Sequence, residues 1–125
     1  MFDIIDRLVG DVEPILYKKP AGEAEFAPGM LLKEEDGLVT GCTGAEKPLY
    51  LCAGKLTGKG EVPVIPVLPT TRFGAVCAAK LDKSLIGSKL QLDGAGAAPT
   101  AQTGGAFRLT GTDEADASYV TGYFD

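Results

Sequence analysis

Apolar residues alternate with turn signals along the chain, and the most apolar stretch, 61–79, lies near its centre. It reads EVPVIPVLPTTRFGAVCAA. Its first half is rich in β-branched residues, which favour strands. Pro63, Pro66 and Pro69 exclude an ordinary helix, because each removes a backbone donor and fixes φ. We therefore predict two central strands that pair with each other across a turn at residues 69–71.

The three prolines also predict where the first of these strands lies in its sheet. A strand tolerates proline where the missing N–H faces solvent or a bulge. We therefore expect residues 61–68 to form an edge or kinked strand. The apolar side chains along this predicted edge strand are Val62, Val64, Ile65 and Val67.

Turn signals divide the rest of the chain into short strands. Pro28-Gly29 is typical of a type II turn. Asp36-Gly37 lies between two apolar runs and predicts a tight hairpin, because both residues tolerate positive φ angles. Further strands are expected over residues 14–19, 48–54, 89–93, 106–110 and 118–124, with a helical turn or loop at 80–88.

Eight or nine short strands at this spacing are typical of an all-β fold, either a small β-barrel or a sandwich. We predict one all-β domain over residues 14–125, with the last strand tying the C-terminus into a sheet. The Gly-rich segment 94–105 is interpreted as a long hairpin connection rather than a ligand loop, because no helix follows it as a phosphate-binding loop requires.

The N-terminal segment, 1–13, follows a different pattern. Its apolar residues recur at helical spacing, which predicts an N-terminal arm or short helix. A helix of this length is not stable alone, so the segment must dock either on its own domain or on a partner. The side chains that would make a contact with a partner are Phe2, Ile4, Ile5 and Leu8.

Length and charge limit the classes of function. A chain of 125 residues has room for one domain. Twelve basic against 17 acidic residues give a net charge of −5, and no run of cations exceeds Lys18-Lys19, so nucleic acid is not an expected partner. The acidic N-terminus lacks the positive region of a signal peptide. No membrane contact is expected either, because no apolar run approaches the roughly 18 residues of a span.

The reactive side chains are few. Histidine is absent, which removes the commonest general base and the commonest metal ligand. The three cysteines, Cys42, Cys52 and Cys77, form no CxxC pair. We expect them to be buried and reduced in a cytosolic compartment, with a Cys42–Cys52 disulfide as the alternative.

Two acidic clusters, at 34–36 and 113–116, lie in predicted turns and lack the spacing of a calcium loop. We interpret them as solvated turn charges. The sequence therefore predicts a protein that is not an enzyme and has no cofactor and no metal site. If it were an enzyme, carboxylates such as Asp36 or Asp113 would be its reactive groups.

The order of these signals resembles that of the head-decoration, or capsid cement, proteins of tailed bacteriophages. In that family a Pro-Gly step introduces a strand that ends in an Asp-Gly or Asn-Gly hairpin, as Pro28-Gly29 and Asp36-Gly37 would. The similarity covers about residues 17–79, in FAPGMLLKEEDGLVTGCTG, PLYLCAG, EVPVIPV and RFGAVCA. A weaker similarity continues in GSKLQLDGAG, GGAFRLTG and YVTGYFD.

The resemblance implies a non-enzymatic virion structural protein that binds and stabilises a bacteriophage capsid. It implies a homotrimer, with the major capsid protein as partner and the N-terminal arm adding to a sheet of that protein. The expected location is the cytoplasm of a bacterial host or the virion surface. The alternative is a cytosolic β-barrel module that binds a small ligand or peptide near residues 62–68.

Overall fold

The computed structural model describes residues 1–7, 14–22, 25–113 and 118–125, in which the chain forms eleven β-strands and one 3₁₀ turn. The strands are β1 (Phe2–Arg7), β2 (Leu16–Pro20), β3 (Leu31–Glu35), β4 (Leu38–Gly41), β5 (Tyr50–Cys52), β6 (Val62–Pro66), β7 (Thr71–Val76), β8 (Lys89–Leu92), β9 (Pro99–Thr103), β10 (Phe107–Thr112) and β11 (Tyr119–Phe124), and the 3₁₀ turn is Lys83–Leu85. The predicted all-β fold is confirmed. The strand count exceeds eight or nine because β1 and β9 arise from segments that were not predicted to be strands.

Five strands close into a barrel in the order β2-β4-β3-β5-β6. The predicted hairpin at Asp36-Gly37 joins β3 to β4, with φ angles of 53° and 79° at the two turn residues. The barrel closes through β2, which runs parallel to β4 and antiparallel to β6. Its buried residues are Phe26, Leu32, Val39, Cys52, Val62 and Val64.

The Pro-rich strand β6 is not an edge strand, because it pairs with β2 on one side and β5 on the other. Its carbonyls and remaining donors keep the ladder intact: Pro63 accepts from the Ala53 N–H at 2.8 Å, and the Val67 N–H donates to Leu49 at 2.9 Å. Pro66 lies beyond the start of β2, whose first residue opposes Val64. The missing donors therefore fall where pairing does not need them.

The expected pairing of residues 61–68 with 72–79 is also wrong. The turn after β6 carries the chain out of the barrel into a second, antiparallel sheet of order β1-β7-β11-β10-β8-β9. There β7 lies between β1 and β11. Two strands that are adjacent in sequence thus belong to different sheets: β6 pairs with β2 and β5, whereas β7 pairs with β1 and β11.

The six-stranded sheet has one buried and one solvent-facing surface. Along β11, half-buried residues alternate with buried ones from Tyr119 to Phe124, as expected for an antiparallel strand with one face on the core. This strand lies between β7 and β10, which confirms that the C-terminus is tied into a sheet. Four phenylalanines meet on the buried face with ring centroids 5.1 to 6.2 Å apart: Phe2, Phe73, Phe107 and Phe124.

Residues 2–7 form strand β1, not a short helix. This strand pairs with β7, with Phe2 opposite Ala75, and the Phe2 N–H donates to the Gly29 carbonyl at 3.0 Å. Phe2 is only 1% exposed. Burial of this ring in the aromatic cluster favours the extended form over the helical spacing of the aliphatic residues. Of the two expected docking modes, the N-terminal strand therefore docks on its own fold.

Part of the barrel packs into the core of the six-stranded sheet, while the barrel interior forms a buried cluster of its own. Leu31 and Leu51 of the barrel belong to the same buried cluster as the four phenylalanines. Gly44 and Leu92 exchange two backbone hydrogen bonds, at 2.8 and 3.2 Å, between the end of the barrel hairpin and strand β8. The two sheets are therefore joined by backbone bonds as well as by packing.

The Gly-rich segment has two parts. Residues 93–98 connect the antiparallel strands β8 and β9, and residues 99–103 are β9 itself, so the segment predicted as one long connection is a short turn followed by a strand. The connection is an ordered turn in which the Asp93 carboxylate accepts from the Ala95 and Ala97 N–H groups. Its Gly96 carbonyl accepts from the Leu31 N–H at 2.9 Å, so the turn also fastens the sheet to the barrel.

Candidate protein-interaction surface

The four residues expected to form a partner-binding arm have different environments. Phe2 is buried in the aromatic cluster, and Ile4 is partly buried against the same core. Ile5 is 42% exposed. Leu8 lies outside the described residues. Within the part of β1 that the structure describes, only Ile5 offers a large apolar side chain to solvent without unfolding of the strand.

The four residues expected to line an edge strand are not a binding surface. Val62 and Val64 are fully buried inside the barrel. Ile65 and Val67 pack against the core of the six-stranded sheet. Because β6 has neighbours on both sides, it has no free backbone edge that could bind an extended peptide.

A different surface stands out on the solvent-facing side of the six-stranded sheet. Tyr119 lies across Gly74: a Cβ placed on that glycine would be 2.8 Å from the Tyr119 Cζ and 3.2 Å from the Ile5 Cδ1. Val76 is directly opposite Tyr119 in the β7–β11 ladder and is 56% exposed. We call Ile5, Gly74, Val76 and Tyr119 the outer patch.

Gly74 sets the geometry of the outer patch. With no Cβ in the way, the hydroxyl end of the Tyr119 side chain lies over Gly74 of β7, next to the tip of Ile5 on β1. An aromatic ring over a strand glycine restores the side-chain packing that the glycine lacks. The apolar surface is therefore held in place by a sheet, not by a loop.

At the other end of the same strands, an ion pair borders a depression of about 320 Å³. It is lined by Pro69, Arg72, Thr110 and Tyr123. The Arg72 guanidinium donates to both carboxylate oxygens of Asp6, through Nε to Oδ1 at 2.7 Å and through Nη2 to Oδ2. This bidentate contact lowers the pKa of Asp6 and raises that of Arg72.

The next cations on this face are also paired. Lys89 lies 2.9 Å and Arg108 3.6 Å from the Asp125 carboxylate. Hydrogen bonding to Lys89 is the main cause of the lowered pKa of Asp125. Arg108 also donates to the Gly87 carbonyl at 2.7 Å. The sheet surface therefore carries charges of both signs, largely compensated within the fold.

The barrel presents a second group of exposed apolar side chains. Ile15 lies just before β2 and Tyr17 lies on the outer side of that strand, and both are more than half exposed. Leu38, on the parallel neighbour β4, is 38% exposed. Next to them, the half-buried Lys18 lies 3.0 Å from Glu34 and 5.4 Å from the Tyr50 ring centroid. Hydrogen bonding to Glu34 is the main cause of the raised pKa of Lys18.

The three thiols are free and buried. Burial raises the pKa of Cys42 and of Cys77 to about 11 and also raises that of Cys52. The expected buried, reduced state is thus what the structure shows, and Cys42 and Cys52 form no disulfide. A thiol with so high a pKa is a poor nucleophile near neutral pH.

Of the first acidic cluster, only Asp36 lies in a turn: Glu34 and Glu35 are the last residues of β3, and the half-buried Glu34 pairs with Lys18, so its prediction as a solvated turn charge is wrong. Asp36 occupies the exposed hairpin turn. Asp113 is exposed at the end of β10, while residues 114–116 lie outside the described residues. Across residues 1–7, 14–22, 25–113 and 118–125, no three Cys, Asp or Glu side chains are grouped to hold a metal ion.

Sequence reasoning missed the outer patch for an identifiable reason. A glycine such as Gly74 weakens a predicted strand. The aromatic residue that covers it, Tyr119, lies 45 positions later in the sequence. The alternation of Phe2 and Ile4 with Asp3 was the available signal that β1 is a strand. Alternation alone places Phe2 and Ile4 on the core face and Ile5 on the solvent face.

In the part of the chain that the structure describes, no helix has the length and apolar character of a membrane span. Comparison with known proteins gave no match to a family model, a curated protein or a solved structure.

Proposed function

We propose that this protein is a non-enzymatic virion structural protein that binds and stabilises a bacteriophage capsid, with the major capsid protein as its partner. Two lines of reasoning support the proposal. One is the resemblance of residues 17–79 to capsid decoration proteins. The other, which carries it, is the outer patch: large apolar side chains exposed together on the surface of a rigid sheet. Exposed apolar patches of this kind mark interaction sites.

The outer patch suits contact with a large, flat partner. Ile5 and Val76 are about half exposed, and the Tyr119 ring between them is fixed against Gly74. Burying an exposed aliphatic side chain contributes about 1.5 to 3 kcal/mol at most. A few such contacts give modest affinity per copy, but a symmetric shell offers many equivalent sites and each bound copy stabilises the assembled state.

The structure changes the role proposed for the N-terminus. A free arm that adds to a capsid sheet would have to release Phe2 from the aromatic cluster, and truncation of such a ring costs about 3 to 5 kcal/mol. In our proposal β1 stays on β7. It then contacts the shell through Ile5 as part of the outer patch.

The proposed oligomer is a homotrimer. A cyclic trimer uses two different patches of each subunit, so that one surface meets another in a closed ring. The barrel supplies the second surface, which shares no residue with the outer patch and consists of the exposed side chains of Ile15, Tyr17 and Leu38. Static light scattering across a concentration series tests this part: a mass of three chains is expected, and a constant single-chain mass contradicts it.

The proposed location is the bacterial host cytoplasm before assembly and the virion surface afterwards. The first experiment is a density-gradient separation of particles from the source culture, with mass spectrometry for this chain in each band. We expect the protein in bands of expanded, DNA-filled heads at a copy number close to that of the major capsid protein. Its presence only in the soluble fraction, with heads clearly recovered, would contradict the proposal.

Variants then test the outer patch on purified shells. Val76→Asp places a charge within the outer patch and is expected to reduce the number of bound copies at least tenfold. Ile86→Asp is the matched control, because Ile86 is also an exposed aliphatic residue but belongs to the turn before β8. Equal binding of both variants would remove the outer patch from the proposal.

A further inference from the structure

The depression beside the Asp6–Arg72 pair has the composition of a small-molecule site. Its volume of about 320 Å³ is at the lower end of the range for ligand pockets, about 300 to 1,000 Å³. Pro69 and the Tyr123 ring provide apolar surface, while Thr110 and Arg72 provide polar atoms. The outer patch lies at the opposite end of β7 and β11, so the two surfaces are distinct.

The charges around the depression are already compensated, which limits the class of ligand. Arg72 donates hydrogen bonds from Nε and Nη2 to the Asp6 carboxylate. Arg108, opposite Tyr123 in the β10–β11 ladder, is held by the Gly87 carbonyl and the Asp125 carboxylate. An anionic ligand would have to compete with these carboxylates. The site therefore favours a ligand without net charge.

The polar groups are of mixed type. Among the residues that line the depression, the Arg72 Nη1 protons are donors, and the Tyr123 and Thr110 hydroxyls can both donate and accept. The Thr110 hydroxyl is positioned by the Thr121 hydroxyl at 3.2 Å. A ligand that fits this set carries neighbouring groups that both donate and accept hydrogen bonds.

We propose that the depression formed by Pro69, Arg72, Thr110 and Tyr123 binds a neutral saccharide. A pyranose ring presents hydroxyls, which would accept from Arg72 and bond to the Thr110 hydroxyl, and a face of C–H groups, which would pack on the Tyr123 ring. The volume of the depression accommodates one or two sugar rings. This inference does not depend on the proposed capsid binding, since it uses a different part of the sheet surface.

The test uses the full chain labelled with ¹⁵N and a panel of named probes: methyl α-glucoside, methyl β-galactoside, N-acetylglucosamine and maltotriose. Because the site is open, we expect dissociation constants of about 1 mM or weaker, or roughly 4 kcal/mol of binding free energy. At least one probe should shift the amide signals of residues 72, 110 and 123. It should also show saturation transfer from aromatic protons.

Two variants decide whether the binding belongs to this site. Tyr123→Ala removes the stacking surface and should abolish the shifts, whereas Tyr17→Ala, at an exposed tyrosine of the barrel, should leave them unchanged. Tyr123→Phe keeps the stacking surface and is expected to weaken binding only a fewfold, which separates loss of the site from loss of the fold.

Three results would overturn the inference. One is the absence of shifts at these residues with every neutral probe. Another is binding that persists in Tyr123→Ala. The third is tighter binding of inorganic phosphate or N-acetylneuraminic acid than of any neutral probe, which would show that the site selects anions.

Discussion

Tyr119 lies across Gly74, on the neighbouring strand of the sheet, with its Cζ 2.8 Å from the position that a Cβ would occupy on the glycine. The contact fixes the tyrosine ring between Ile5 and Val76 and so determines the shape of the outer patch. The absence of a side chain at Gly74 therefore determines where the Tyr119 side chain can lie.

Gly74→Ala is expected to destabilise the fold by at most about 1 kcal/mol, because the added methyl group meets the far end of the flexible Tyr119 side chain, which can move aside. Chemical denaturation measures the change. Gly58→Ala is the control, since a Cβ at Gly58 has nothing within 4 Å, and it should be close to neutral. In a Tyr119→Ala background the cost of Gly74→Ala should fall; an unchanged cost would show that the ring is not the obstacle.

Phe2→Ala is expected to reduce the free energy of unfolding by about 3 to 5 kcal/mol, as for other aromatic truncations in a packed core. The physical reason is the loss of contacts with Phe73, Phe107 and Phe124. Ile5→Ala on the same strand should change stability by no more than about 0.5 kcal/mol, as at other surface positions. Similar small effects for both variants would mean that β1 is dispensable for the fold.

Gly96→Ala is expected to destabilise the joint between the barrel and the sheet. Gly96 has a φ of +65°, and a Cβ there would lie 2.5 Å from the Cys42 carbonyl oxygen and 2.9 Å from that of Leu31. The backbone strain of a left-handed alanine and the clash with the two carbonyl oxygens together predict a decrease in the free energy of unfolding of about 2 kcal/mol or more. Gly94→Ala, two residues earlier with open space around it, should be nearly neutral. Equal effects would contradict the tight docking of this turn.

The Asp6–Arg72 pair predicts a specific dependence of stability on pH. Its hydrogen bonds lower the Asp6 pKa in the folded state, so the unfolded state takes up a proton first as the pH falls. The stabilisation is complete above the unfolded pKa of about 3.9 and is lost as the pH drops through the lower folded pKa.

Asp6→Asn removes this contribution. The difference in unfolding free energy between the native chain and the variant should therefore be constant near neutral pH and shrink below about pH 4. Urea denaturation at a series of pH values measures it. A difference that stays constant down to pH 2 would show that Asp6 does not titrate differently in the two states.

The burial of the cysteine thiols predicts that they react slowly with thiol reagents while the protein is folded. With a pKa of about 11, Cys42 and Cys77 are about one part in a thousand thiolate at pH 8. A disulfide reagent should therefore react slowly with the folded protein and titrate three thiols after unfolding. An Ala79→Cys variant, at an exposed site, should add one thiol that reacts promptly. Rapid reaction of all three native thiols would contradict their burial.

The sequence by itself determined the features that depend on a few neighbouring residues. The Asp36-Gly37 hairpin and the Pro28-Gly29 turn follow from backbone preferences: Gly29 has a φ of 93°, and the Met30 N–H donates to the Ala27 carbonyl across the turn. The all-β fold follows from strands bounded by such turns. The burial of the cysteines follows from their apolar surroundings.

Only the tertiary structure decided which strands pair and which surfaces remain exposed. Residues 2–7 form a strand despite the helical spacing of their aliphatic side chains, because Phe2 gains more by burial in an aromatic cluster built from β7, β10 and β11. Pro63 and Pro66 suggested an edge, but an edge is a property of the whole sheet, and their missing donors fall where the partners need none. The outer patch likewise depends on Tyr119 meeting Gly74. Such contacts join residues far apart in sequence, so no local pattern encodes them.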